Sequence, residues 1–396
     1  MPRQPGRGEG SGGASPIDAA RALAPRLAAL SERIERERSL PPDLARAMAE
    51  GGLFRLCVPR KFNGLEADVA TMIRAIEEVS KVDASAGWCV AIGATSGLVS
   101  AWLPEEEARR IYGIDPLTIS GGVFAPQGKA TAVPGGYRVT GRWAFASGCR
   151  HCGWLMGGCV VLEDGKPRLL PRGLPDPHLV LFPASDARVI DTWTVSGLCG
   201  TGSHDIEVSD LFVPEARVVS IVTQPPVQPG PLYAFPVFGV LAMGIAGVAL
   251  GIARAAIDAL VNLAAAKTPT GSQKRLADRP ATQTQVARAE ALLRSGRAFL
   301  LEAAEETWRE AVEQGTIGTE KRALCRLAAT NAAAACAQAV DLMYDAGGGS
   351  SIYATSPLQR HFRDVHVLTQ HRMVAPPTYE ITGRLFLGLD TDVSMI

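Results

Sequence analysis

The period of the hydrophobic pattern changes twice along the chain. From Ile17 to Arg38, apolar residues recur at helical spacing opposite a charged face. Pro41-Pro42-Asp43 opens a second helix that ends at Gly51-Gly52, and Asp68–Lys81 is amphipathic again, with Asp68 placed as its N-cap. Ser85–Leu103 is almost wholly apolar and predicts a buried helix; Glu105–Ile111 follows Pro104 as a short one. Between about 116 and 222 the pattern shortens to strands: Thr118–Ser120, Lys129–Val133, Tyr137–Thr140, Trp154–Val161, Leu179–Pro183, Ala187–Thr194 and Asp205–Val213. Pro134-Gly135-Gly136 and Asp164-Gly165 supply turns. After Pro225–Pro231 the helical period returns over Phe238–Ala265, Ala281–Glu313, Glu320–Ala346 and about Pro357–Gln370, with Gly347-Gly348-Gly349 breaking the third of these. Helices, strands, then a helical bundle make an α+β layout. The expected divisions are a tail over 1–15, a helical domain over 16–115, a β-domain over 116–224 and a bundle over 225–396.

One segment calls for a membrane test. Val218 to Ala253 holds no Asp, Glu, Lys or Arg, and Phe235–Ala253 approaches the length of a span. Its Pro-rich start and Gly239, Gly244, Gly247 and Gly251 favour a closely packed helix inside a bundle. The Gly-, Ser- and Pro-rich residues 1–15 lack the apolar core of a signal peptide and read as a disordered tail. With 40 basic and 40 acidic residues the formal charge is zero, which gives no purchase for nucleic acid or an anionic membrane. Of the eight cysteines, Cys149 and Cys152 form a C-x-x-C, but no second pair completes a zinc site, so no metal is expected. Dispersed reduced thiols fit a cytoplasmic protein. No G-x-G-x-x-G follows a strand, so a dinucleotide fold is not indicated.

Five segments carry a family resemblance: "GYRVTGRWAFASG" (136–148), "DTWTVSGLCGTGSHDIEVSDLFVPE" (191–215), "QTQVARAEALLRSGRA" (283–298), "DAGGGSSIYATSPLQRHFRDVHVLTQH" (345–371) and "GRLFLG" (383–388). In this order they resemble the acyl-CoA dehydrogenase fold, and specifically its flavin-dependent monooxygenase branch, the oxygenase components of two-component systems. The resemblance implies a helical N-terminal domain, a middle β-barrel domain and a C-terminal four-helix bundle, assembled as a homotetramer or homodimer. It implies reduced FMN or FAD as cofactor, supplied by a separate NAD(P)H:flavin reductase. Dioxygen and a small organic substrate, aromatic or natural-product in kind, are the other expected partners, with oxygen transferred through a flavin C4a-hydroperoxide.

Residue by residue, the resemblance places Ser147 near flavin N5, where a hydrogen bond would hold the hydroperoxide, with Trp143 and Gly148 beside it on the flavin. Read alone, Ser147-Gly148 is a turn at a strand end. Dehydrogenases of this fold carry a glutamate base shortly after an Arg-Asp pair; after Arg363-Asp364 the carboxylate is missing and His371 matches the histidine of the monooxygenase branch. An imidazole titrating near neutrality suits acid or base work. His366 is a second candidate, His361 is expected at the surface or an interface, and Glu380 keeps a dehydrogenase-like alternative open. A non-catalytic scaffold of the same fold is the third reading. Thr201 and Ser203 in the Gly-Thr-Gly-Ser turn are flavin candidates, although Cys199 stands where relatives commonly have Arg. Arg275, through its guanidinium fork, and Gly347-Gly348, through close backbone approach, are candidates for the flavin phosphate end. Trp88, Thr95, Ser96 and Ser120 are candidates for the substrate pocket. Phenol hydroxylases of the branch tend to carry a histidine near 95–96, and here none is present.

Overall fold

The structure is a computed structural model that describes residues 15–170, 173–393 and 396. All but the last residue of the tail read over 1–15 lies outside the described residues. The N-terminal region is helical: α1 (Pro16–Glu37), α2 (Pro42–Glu50), α3 (Val69–Ser80), α4 (Ala84–Ser96) and α5 (Glu105–Ala108). Its starts follow from capping chemistry. Ser15 accepts the Asp18 N–H, Asp68 accepts the Thr71 N–H, and Asp83 accepts the Ala86 N–H at 2.8 Å, each satisfying an amide that the first turn leaves free.

The central region forms β1 (Ser120–Val133), β2 (Gly136–Trp143), β3 (Trp154–Glu163), β4 (Lys166–Pro167), β5 (Pro177–Pro183), β6 (Arg188–Ile190), β7 (Asp205–Pro214) and β8 (Val218–Val219). These make one mixed sheet in the order β6-β7-β2-β1-β3-β5-β8, with β4 paired to β3. The β1–β3 pair is parallel and the other pairs are antiparallel. The expected barrel is thus a sheet whose pairing path ends at β6 and β8. β1 runs far beyond the two short strands expected there, because register shifts at Val123/Pro126 and Pro126/Gly128 carry it past residues that look like breakers.

The C-terminal region contains α6 (Pro231–Ala234), α7 (Val237–Ala266), α8 (Pro280–Gln314), α9 (Thr319–Gly347), α10 (Pro357–Leu368) and α11 (Pro377–Phe386). The charge-free run is α7, packed on α3, α4, α9 and α10, with 89% of its most apolar stretch buried in the protein. Its glycines set the spacing. A Cβ at Gly251 would lie 2.4 Å from the Ser80 Cβ, so α7 and α3 meet nearly backbone to backbone. N-terminal helices and bundle share one continuous apolar core, while the sheet has its own around Trp143, Phe182 and Ile206.

Candidate active site

Five of the side chains singled out in the sequence meet where α4, the sheet and the segment after α10 converge. Trp88, buried on α4, donates its indole N–H to Ser147 Oγ at 3.0 Å. Ser147 Oγ lies 2.7 Å from Ser203 Oγ, which lies 2.7 Å from Thr201 Oγ1, and Thr201 donates to the Leu198 carbonyl at 2.8 Å. His371 sits edge-on to Trp88, with ring centres 5.5 Å apart and planes at 69°.

The far end of this row fixes where its hydrogens point. A carbonyl can only accept, so the single Thr201 proton is spent on Leu198. Ser203 must then donate to Thr201, and Ser147 to Ser203. Trp88 occupies one Ser147 lone pair, because an indole nitrogen only donates. One acceptor position on Ser147 Oγ is left for a partner in the site. Aligned donors of this kind polarise one another.

His371 has its tautomer set in the same way. Its Nδ1 accepts the Met373 N–H at 3.2 Å, so a neutral ring carries its proton on Nε2. Burial, with the nearby Arg326 guanidinium, pulls its pKa down to about 4. At neutral pH it is an uncharged donor.

Several candidates fall elsewhere. Trp143, expected on the flavin, is wholly buried in the sheet core. Its indole occupies the space where Cβ atoms of Gly128, Gly141 and Gly157 would lie, 2.4–2.6 Å from it, and its N–H goes to the Gly158 carbonyl at 2.7 Å. The side chain that the motif does expose is Phe145, 68% accessible at φ 67° and edge-on to Trp193. Strict alternation after Trp143 hides it; its positive φ turns it outward. Gly148 is also left-handed, and a Cβ there would lie 2.6 Å from His151 Nε2, so glycine is required twice over. His151 itself, partly buried against Phe54 and held neutral by burial with a pKa near 4, was not singled out in the sequence.

On α4, Thr95 spends its hydroxyl on its own helix, on the Ala91 carbonyl at 2.7 Å, and its methyl group faces α7. The Ser96 hydroxyl is buried without a hydrogen-bond partner among the described residues. Ser120 accepts from the Tyr112 hydroxyl at 3.1 Å. Gly347 packs on Leu358 at the start of α10, where a Cβ would lie 2.8 Å from that side chain; Gly348, at φ 55°, follows it. Lys267 ties this corner together by donating to the Gly347 carbonyl at 2.8 Å and accepting the Leu276 N–H. Arg275 is exposed and paired with Asp278 at 3.1 Å. Gly347 and Gly348 therefore lie at the start of α10, and His371 lies past its end, about 15 Å along the helix at 1.5 Å per residue.

His366 pairs with Asp341 at 2.8 Å. His361, expected at the surface or an interface, is partly buried and lines a cavity of about 370 Å³ with Arg360 and Asp364. Glu380 is exposed on α11. All eight cysteines are free; burial raises Cys149 to about 11 and Cys152 higher still, so both stay protonated thiols.

The ring end of the site suits a planar group bearing an N–H. It offers an exposed aromatic face at Phe145, a left-handed glycine, and one oriented acceptor on Ser147. Residues 17–109 match the acyl-CoA dehydrogenase N-terminal domain and residues 243–376 the C-terminal domain. The chain belongs to the flavin-dependent monooxygenases of the acyl-CoA dehydrogenase fold. An indole-3-acetate monooxygenase of Pseudomonas putida is 36% identical over 355 residues, covering 89% of each chain. HsaA of Rhodococcus jostii (strain RHA1), the oxygenase subunit of a flavin-dependent monooxygenase, is 28% identical over 384 residues, 95% of this chain and 99% of that one. The solved structure of XiaF from Streptomyces sp. in complex with FADH2 and glycerol aligns with a TM-score of 0.86 at 28% identity, covering 95% of both chains.

Proposed function

We propose that this enzyme takes reduced FAD from a separate NAD(P)H:flavin reductase and uses dioxygen to hydroxylate a flat, weakly charged aromatic substrate in the cytoplasm. The observation that carries the reading is the convergence of Trp88, Ser147 and His371. Reduced flavin, when bound, would supply the two electrons that activate dioxygen, one atom of which enters the substrate while the other leaves as water. Ser147 offers its remaining lone pair to an N–H of the ring, which keeps that proton in place and so opposes loss of hydrogen peroxide. His371 presents Nε2–H as a donor to an oxygen in the site, and the buried Trp88 ring keeps water from both.

FAD is favoured over FMN because XiaF, similar over nearly its whole length, carries FADH2. An indole ring is the first substrate to test, because the relative at 36% identity is named for one. The same reading takes the assembly to be a homotetramer or homodimer, as the family resemblance implies, in which a second copy could bring its Gly347-Gly348 corner toward a neighbour's ring end.

The test supplies photoreduced FAD, then isotopically labelled dioxygen, with indole, indole-3-acetate and simple phenols in turn, and analyses products by mass spectrometry. One labelled oxygen atom in an aromatic product is expected. Stoichiometric hydrogen peroxide with no labelled product from any aromatic would sink the proposal. FMN supporting equal labelling would remove the preference for FAD.

A further inference from the structure

The helix that leads to His371 also reaches Ser147 from behind. On α10, buried Asp364 accepts the Leu198 N–H at 2.6 Å through Oδ1, joining residues 166 positions apart. Leu198 lies in the left-handed region at φ 51°, which a branched side chain adopts only when its surroundings hold it there. Arg363 helps by donating to the Ser196 carbonyl. Gly197 lets the turn close on α10, since a Cβ there would lie 2.4 Å from the Arg363 carbonyl oxygen. The clamp holds the Leu198 amide, and the carbonyl of the same residue, which also accepts the Trp193 indole N–H at 3.2 Å and the Thr201 N–H at 3.1 Å, is the one on which the hydroxyl row ends.

A second arm starts one turn earlier on the same helix. Arg360 bonds Asp83 Oδ2 at 2.8 Å and lies 3.8 Å from Asp364 Oδ2; Glu35 also faces it at 3.2 Å. The other Asp83 oxygen caps α4, the helix that carries Trp88. Both groups that bond Ser147, Trp88 and Ser203, are thus referred back to one charged pair on α10.

We propose that Asp364, held by Arg360, is a positioning residue that fixes Ser147 as a hydrogen-bond acceptor. If the Leu198 carbonyl moves away, the Thr201 proton is released toward Ser203, that of Ser203 toward Ser147, and that of Ser147 into the site. The row then runs backwards, and Ser147 presents a hydrogen where the ring N–H needs a lone pair. The inference rests on the reading of Ser147 given above.

The test uses the full chain with Asp364→Ala, Asp364→Asn, Thr201→Val and Ser147→Ala. Without flavin, hydrogen–deuterium exchange over residues 196–204 is expected to accelerate at least about ten-fold in Asp364→Ala. It stays near wild type in Asp364→Asn, whose amide oxygen still accepts the Leu198 N–H. With photoreduced FAD and oxygen, the delay before oxidised flavin absorbance returns is expected to shorten about ten-fold in Asp364→Ala and in Thr201→Val. The double variant is no shorter than either, because both break one row. An unchanged delay in Asp364→Ala beside a shortened one in Ser147→Ala overturns this inference and leaves Ser147's role standing. An unchanged delay in Ser147→Ala overturns the reading of Ser147 itself. Should Asp364→Ala fail to fold, Thr201→Val decides: wild-type exchange with a shortened delay supports the row, and an unchanged delay overturns it.

Discussion

Trp88 and His371 meet edge to face with 5.5 Å between ring centres, so the indole that donates to Ser147 is also the wall against which the imidazole is set. Ring and N–H are separable by substitution. Trp88→Phe keeps an aromatic wall and removes the donor. The return of oxidised flavin after oxygen is expected to accelerate about five- to ten-fold, with more hydrogen peroxide per reduced flavin, as for loss of one buried hydrogen bond. The melting temperature should fall by only about 2–4 °C. Stopped-flow absorbance and peroxide assay check the first, calorimetry the second; wild-type peroxide yield would remove Trp88 from the mechanism.

His371 predicts a flat profile. With its pKa pulled to about 4 by burial and Arg326, it is neutral throughout the range from about pH 5.5 to 8. Turnover should therefore show no inflection from this residue there, while His371→Ala should lower turnover by about 10²–10³-fold. A step near pH 6.5 that disappears in His371→Ala would mean that the ring works charged, against the tautomer read from Met373.

Acid unfolding should be steep, for reasons that partly oppose each other. Burial holds His151, His361 and His371 at about 4, below the unfolded value of about 6.5, so the unfolded chain binds more protons between these values. Stability is lost as pH falls through that window. Asp364, raised to about 6 by burial, works in the other direction, because the folded state takes its proton first. From these four groups, three protons against one leaves an uptake of about two on unfolding near pH 5, a slope of roughly 2–3 kcal/mol per pH unit, and His178 and His204, also lowered by burial, act in the same direction. Denaturant titrations at several pH values measure this slope; Asp364→Asn should steepen it.

Gly148→Ala tests the turn that presents Ser147. The added methyl meets a positive φ and the His151 imidazole 2.6 Å away. A loss of about 2–4 kcal/mol of stability is expected, with weakened flavin binding. His151→Ala in the same chain should recover the steric part and leave the backbone part. Thermal melts and flavin fluorescence titration separate the two.

The helical regions were legible because their periods are long and their caps carry side-chain chemistry, as at Asp68. The resemblance picked out Ser147 and His371, and the structure brings them to one place with Trp88, Thr201 and Ser203. Two things were not legible. Gly128, Gly141 and Gly157 look like breakers or turn residues in a one-dimensional pattern, yet they form the space for Trp143, and only the folded sheet brings them round one indole. The Asp364–Leu198 bond joins positions 166 residues apart, and nothing local marks either partner. Arg363-Asp364 served only as a counting mark toward His371, whereas both residues grip the 196–198 turn.

The hydroxyl row from Ser147 ends on a main-chain carbonyl, and a peptide oxygen does not titrate in the range where proteins fold. The row therefore has no terminus from which a proton could be drawn or to which one could be delivered. It can hold an orientation but cannot conduct. Whatever protons turnover consumes therefore do not travel along this row, and Ser147 keeps its orientation without serving as a relay.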